Sequence, residues 1–222
     1  MSFVNIILGT MVALLPITNP ISTAALFLTI TQDDSHEERR KQALRGCLYT
    51  FGILVSFLIA GTLIMNFFGI SIPGLRIAGG VMVIRIAMGM MKPQDHKEVS
   101  PEAHKESQQK EDISFSPLAM PSLSGPGAIA VTIGLAAGTR SWLDYVGIIV
   151  GIVIVVTLAY LTLRASESIT NFLGQTGMNA LSRIMGFLLL CVGIQFVINA
   201  TLTIVSDPDF LRNLKMALES AG

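Results

Sequence analysis

"LLPITNPISTAALF", residues 14–27, lies inside an apolar run that extends from Phe3 to about Ile30, long enough to cross a bilayer. Pro16 and Pro20 fall near the middle of that run. A proline in a helix interior removes a backbone donor and clashes with the preceding turn, at a cost of about 3 kcal/mol. In hydrocarbon the freed backbone groups find no water. The stretch reads as the end of one half-helix and the start of another. Asn19 is a favoured N-cap residue, and Pro20 suits the first helical position. Ile21, Ser22 and Thr23 then leave amide N–H groups without helical acceptors.

The rest of the chain says what such a break is for. Of 222 residues, 51% are hydrophobic and only 14% charged, against about 25% charged in a soluble domain. This is the composition of an integral membrane protein whose first partner is the lipid bilayer. The formal net charge is zero, and nothing points to nucleic acid. Cys47 and Cys191 both lie in apolar runs and read as free core residues rather than a disulfide or a zinc site. "MSFVN" lacks a basic n-region, so the first run reads as a span rather than a signal peptide.

Six stretches reach spanning length: roughly 3–30, 45–67, 71–91, 116–138, 143–164 and 181–205. The expected fold is all-α, with residues 1–91 and 116–205 forming two three-span halves. The polar "KPQDHKEVSPEAHKESQQKEDIS" (92–114) gives a linker over 92–115. After the last span, Asp207 and Pro208 can start a short amphipathic tail within 206–222, with Phe210, Leu211, Leu214 and Leu218 on one face. Ten Lys and Arg flank the spans on the linker side and four (Arg76, Arg140, Arg212, Lys215) on the other; Arg85, inside span three, is read as snorkelling. The positive-inside rule then places the linker in the cytoplasm and both termini outside.

The two halves resemble each other at an offset of about 106 residues. "IMNFFG" (64–69) recurs as "ITNFLG" (169–174), and "LRIAGG" (75–80) more loosely as "SRIMGF" (182–187). "TNPIST" (18–23) aligns with "SGPGAI" (124–129), so Pro20 falls on Pro126. Three spans per half is an odd number, so the second copy enters the membrane from the opposite side. Inverted repeats with discontinuous helices in matching positions point to a secondary transporter and to its binding site.

The second break, "MPSLSGPGAIA" (120–130), repeats the chemistry of the first: Pro121 ends a half-helix, Ser124 and Gly125 cap, and Pro126 restarts. Gly127 and Ala128 then present amides. Both breaks fall near the midplane, where two positive helix ends suit a carboxylate. Half-helix carbonyls around Leu15 and Met120 could take an ammonium group or a sodium ion. The candidate site is Asn19, Ser22, Thr23, Ser124, Gly125 and Gly127, with Pro16, Pro20, Pro121 and Pro126 fixing the breaks. A single such proline would read as a packing kink; matching breaks in both halves shift the reading to a site.

No Asp, Glu or His falls in a span interior; Asp144 and Glu167 come nearest, at the ends of span five, and His36, His96 and His104 lie in loops. A proton relay through an intramembrane acid is therefore not expected. The neutral polar residues of the spans, among them Ser56, Thr157, Gln195 and Asn199, suit a zwitterion. No cofactor is implied, while sodium coupling stays open. No nucleophile–base pair, metal-ligand cluster or phosphate loop can be assembled, so an enzyme is not expected. Asn66 and Asn171 read as caps. "GIIVG" (147–151) and "GLAAG" (134–138) suit close helix contact, within the chain or in a homo-oligomer.

"LLPITNPISTAALFL", "FGISIPGLRIAGG", "PLAMPSLSGPGAIA" and "LSRIMGFLLLCVGIQFVIN" resemble the MarC/SnatA-type family of six-span bacterial inner-membrane proteins, across nearly the whole chain. The resemblance implies a transporter or exporter of small neutral amino acids, with its sites on the two proline motifs. Many transporter-like members carry Asp-Pro followed by Gly-Asn in the first motif, where this chain has Asn19-Pro20 followed by Ile21-Ser22. That difference removes a charge from the site and places the chain nearer the MarC branch. Two rivals stand beside this reading: export of other small metabolites or drugs, and a non-transporting scaffold or sensor.

Overall fold

The computed structural model describes residues 2–92, 112–139 and 141–208, with positions 210, 212 and 216 beyond them. Eight helical segments follow in order among these residues: α1 (Phe3–Thr18), α2 (Pro20–Ile30), α3 (His36–Phe67), α4 (Ile72–Met91), α5 (Ser114–Leu123), α6 (Pro126–Ala137), α7 (Trp142–Arg164) and α8 (Ser166–Val205). Five stretches are long and apolar enough to cross a membrane, six if the bent pair α5–α6 counts as one. The last runs over Thr176–Val205, five residues earlier than the sequence suggested, because the helix continues unbroken from the kink at Gly174. Most of the linker, most of the tail beyond Pro208, His96 and His104 lie outside the described residues.

Local chemistry explains the ordinary helix starts. Ser2, Ser35 and Ser71 each turn a hydroxyl onto a first-turn amide, of Asn5, Glu38 and Gly74 at 3.3, 3.3 and 3.2 Å. At α3 the cap is reciprocal, since Glu38 accepts from the Ser35 N–H at 3.1 Å. At α7 Asp144 accepts from the Ser141 N–H at 3.1 Å. The links are equally local. "IMNFFG" closes α3 with Gly69 at φ 64°, and its counterpart "ITNFLG" kinks α8 with Gly174 at φ 62°. Both need the left-handed conformation that glycine adopts without strain. The Asn66 carbonyl accepts the Gly69 N–H, so that asparagine sits at a helix end; Asn171 lies within the first stretch of α8.

Glycine contacts give the helix directions. A Cβ on Gly147 would meet Ile6 and one on Gly151 would meet Thr10, so α1 and α7 are parallel. Gly46 lies on Leu118 and Gly61 on Ile133, so α3 runs parallel to α5–α6. Gly79 meets Ala130 while Gly127 meets Val83 and Ile17, so α6 is antiparallel to α4. Gly80 packs on Gly193 and Gly186 on Ala87 and Met90, so α8 is antiparallel to α4 as well. The "GIIVG" stretch thus makes its close contact inside the chain, against α1.

The packing partners form matched pairs. α1 lies on α7 as α5 lies on α3; α2 lies on α8 as α6 lies on α4; α2 touches α7 as α6 touches α3. The core between these layers is aliphatic, with Leu14, Leu54, Leu58, Ile152 and Val155 fully buried. Large apolar side chains such as Val12, Leu63 and Leu161 point outward, as they do where hydrocarbon replaces water.

Candidate functional site

The two breaks differ in shape. Across Asn19 the chain runs on, and Phe3–Ile30 forms one 28-residue candidate span. α5 and α6 instead meet at 63°. α5 is not the regular half-helix the sequence suggested. It is π-wound, with non-helical backbone at Ser116 and Met120 and cis bonds before Pro117 and Pro121.

Pro20 and Pro126 both occupy the first turn of their helices, and neither helix has a side-chain cap. Their starts differ in this from α1, α3 and α4. In α2 the first amide bonded within the helix is that of Thr23, to the Asn19 carbonyl at 3.1 Å; in α6 it is that of Ile129, to the Gly125 carbonyl at 3.1 Å. The N–H groups of Ile21, Ser22, Gly127 and Ala128 have no acceptor among the described residues. The two breaks also approach each other: a Cβ on Gly127 would lie 3.3 Å from Ile17 Cγ2 and would collide with Val83. Only glycine lets α6 come this close to α1 and α4.

Asn19 stands at the N-cap position but does not cap. It is left-handed, at φ 38°, and its Nδ2 donates to Met90 Sδ at 3.3 Å. Thioether sulfur accepts and cannot donate, so the amino end of the carboxamide faces it. The other end, Oδ1, is buried without a donor among the described residues. Such an orphan costs about 1–3 kcal/mol. The Leu15 carbonyl, a candidate for a cation, already accepts from the Asn19 N–H at 3.2 Å and the Thr18 hydroxyl at 3.1 Å. The free acceptor of the first break is therefore the Asn19 carboxamide.

The other predicted residues divide. Thr23 is buried beside Asn19. Ser22 turns toward α8, its hydroxyl 3.4 Å from that of Ser182. Ser124 does not cap α6: its hydroxyl and amide both donate to the Ala119 carbonyl at 2.8 Å, which closes the wide last turn of α5. Gly125 takes the N-cap position with extended backbone. Pro16 and Pro121 sit inside α1 and α5.

Arg76 was legible only as one of the flanking charges. In the structure it lies in the second turn of α4, half-buried, and lines a cavity of about 210 Å³. Ala13, Ala130, Val131, Gly134, Leu135, Phe196 and Asn199 complete the lining. The signal for it was the match of Arg76 with Arg183 in the repeat. Arg183 lines a second cavity at the opposite end of α4, with Met90, Lys92, Asn179 and Ser182, and that one holds about 10 Å³.

Fold and site together define a multi-span helical membrane protein with two interrupted spans and a largely apolar cavity that carries Arg76 and Asn199. The model of the MarC family of integral membrane proteins matches residues 4–205, and the chain belongs to that family. It is 43% identical over 206 residues to the inner membrane protein MarC of Citrobacter koseri, covering 88% of this chain and 93% of the relative. The MarC proteins of Escherichia coli and Salmonella paratyphi A match with the same identity and coverage. No solved structure matches the chain.

Proposed function

We propose that this chain is a secondary transporter of small zwitterionic solutes, of the neutral amino acid class, which works by alternating access around the two breaks. The observation that carries the reading is the orphaned carboxamide oxygen of Asn19, buried beside a helix start whose amides are also unpartnered. A zwitterion answers both needs. Its ammonium donates to Asn19 Oδ1, and its carboxylate accepts from the amides of Ile21 and Ser22 or of Gly127 and Ala128.

Two further observations support it. The matched packing pairs and the antiparallel courses of α4 and α8, the third spans of the two halves, favour two inverted halves, the architecture from which alternating access follows. Of the cavities at the two ends of α4, the one at Arg76, about 210 Å³ against about 10 Å³ at Arg183, is large enough for such a solute. The names of the relatives favour the bacterial inner membrane. The distribution of Lys and Arg favours termini on its outer side, which makes the Arg76 cavity the external one.

The test is counterflow. Liposomes carrying the purified protein are loaded with alanine or glycine, and uptake of the labelled solute is followed with and without a sodium gradient. Flux in wild type that falls in Asn19→Gly supports the reading, and any effect of the gradient reports coupling. No flux in folded wild type overturns it for these solutes. A thermal-unfolding screen of other small metabolites then addresses the export rival. A scaffold role leaves both the buried orphan and the cavity without a purpose.

A further inference from the structure

The Arg76 cavity has a chemistry of its own. Arg76 carries a fixed charge inside an apolar span, yet it makes no hydrogen bond or ion pair among the described residues, and no acidic side chain lines its cavity. Its side chain lies against α6, with Nε about 3.7 Å from where a Cβ of Gly134 would stand. An intramembrane arginine without a partner marks a functional position.

Asn199 supplies the second donor. Asn199 and Gln195 are both exposed; Asn199 Oδ1 accepts from Gln195 Nε2 at 2.8 Å, which leaves Nδ2 as the free end. The polar groups offered to the cavity are therefore donors: the guanidinium fork and one amide N–H₂. The remaining walls are small or apolar, from Ala13, Val131, Leu135 and Phe196. At about 30 Å³ per water in the liquid, the space takes on the order of seven waters, or a molecule with about that many non-hydrogen atoms.

We propose that Arg76 and Asn199 form a carboxylate-binding site, which a small amino acid occupies on its way to the Asn19 break. Arg76 holds the carboxylate through its planar fork, a geometry lysine cannot reproduce, and Asn199 fixes one of the two oxygens. The ammonium points inward along α1, toward the Asn19 carboxamide. Ala13 and Ala130 leave room for a short side chain and little more. The proposal deepens the transport reading and rests on it for the identity of the guest.

The experiment is ligand-dependent thermal stability of the full chain in phosphatidylcholine nanodiscs, with L-alanine, acetate, methylamine and inorganic phosphate as probes. Alanine and acetate are expected to stabilise wild type saturably, and methylamine is not. Arg76→Gln should weaken both by about ten-fold or more, with Arg76→Lys between. Asn199→Asp offers Arg76 an internal carboxylate, so it should abolish acetate binding in a protein that remains folded even if Arg76→Gln does not. Equal acetate binding in wild type, Arg76→Gln and Asn199→Asp would overturn the proposal. So would stabilisation by phosphate but not acetate, which would make the cavity a lipid-headgroup site, or no stabilisation of wild type by any probe. Counterflow separates the two readings. Flux with normal alanine affinity in Arg76→Gln sinks this site and keeps the transporter; Arg76-dependent acetate binding without flux does the reverse.

Discussion

Gly80 and Gly193 bring α4 and α8 so close that a Cβ on Gly80 would sit 2.8 Å from the Gly193 carbonyl oxygen. The relation recurs at the other end of the pair, where a Cβ on Gly186 would lie 3.1 Å from the Ala87 carbonyl oxygen. Gly186 and Gly193 stand 106 residues after Gly80 and Ala87. One contact is thus made twice, once by each half of the chain. In both a backbone carbonyl stands in the way, joined at Gly186 by the Met90 Cβ at 3.0 Å, and no rotamer change moves either. Gly80→Ala is expected to destabilise by about 1–3 kcal/mol, and Gly186→Ala by less, because its gap is wider. Thermal unfolding of the purified variants checks the order.

Asn19 combines two costs that substitution can separate. Its left-handed backbone is easy for glycine, while alanine carries a penalty of about 1–2 kcal/mol there. Asn19→Gly removes the orphaned oxygen and relaxes the backbone, so it should be at least as stable as wild type. Under the transport reading it loses solute binding and flux all the same. Asn19→Ala should lose both function and stability. Unfolding and counterflow measured on the same preparations decide between them.

Gly127→Ala places a methyl against Val83 and Ile17. A loss of about 1–3 kcal/mol is expected. Val83→Ala, which removes the obstructing methyls, should restore part of it in the double variant. That compensation appears in a double-mutant cycle as a coupling of about 0.5–3 kcal/mol.

Arg39 ties the end of α2 to the start of α3. Its Nε donates to the Thr31 carbonyl at 2.7 Å and its Nη2 to the Gln32 carbonyl at 2.8 Å. Arg39→Ala removes two charge-assisted hydrogen bonds, leaving the Thr31 carbonyl with only the Asp34 N–H at 3.0 Å, and a destabilisation of about 1.5–3 kcal/mol is expected. Arg39→Lys should recover only part of it, since a single ammonium cannot reproduce the fork. Hydrogen exchange over residues 27–34, which report the fraying of α2, is the measurement.

Ser22 and Ser182 close the end of the bundle opposite the large cavity, their hydroxyls 3.4 Å apart. Ser22→Cys with Ser182→Cys, in a background lacking Cys47 and Cys191, should cross-link under mild oxidation. If α2 and α8 part during transport, the cross-link stops flux and a reductant restores it. Unimpeded flux through a fully cross-linked sample would rule that motion out.

Much of this molecule is written locally. Apolar run length alone gives the order of the spans, five or, with the bent pair α5–α6, six, because hydrocarbon admits only backbone that is bonded within itself. Serine and acidic caps mark helix starts such as Ser35–Glu38, and Pro20 and Pro126 mark the breaks, because capping is chemistry between near neighbours in the chain. The sequence likewise carries the family, the resemblance between its two halves and the identity of Asn19 as the residue at the first break. Tertiary structure decided what those residues face. Asn19 lacks a partner for its oxygen because no donor among the described residues reaches it, while α4 presents Met90 to its other end. Ser124 is spent on Ala119 only because α5 winds wider than an α-helix. Arg76 passed for a loop charge until α1, α6 and α8 closed a cavity around it. Partners of this kind are set by how helices distant in sequence cross one another, and the crossing is fixed by glycines whose missing Cβ atoms matter only when the opposing helix arrives.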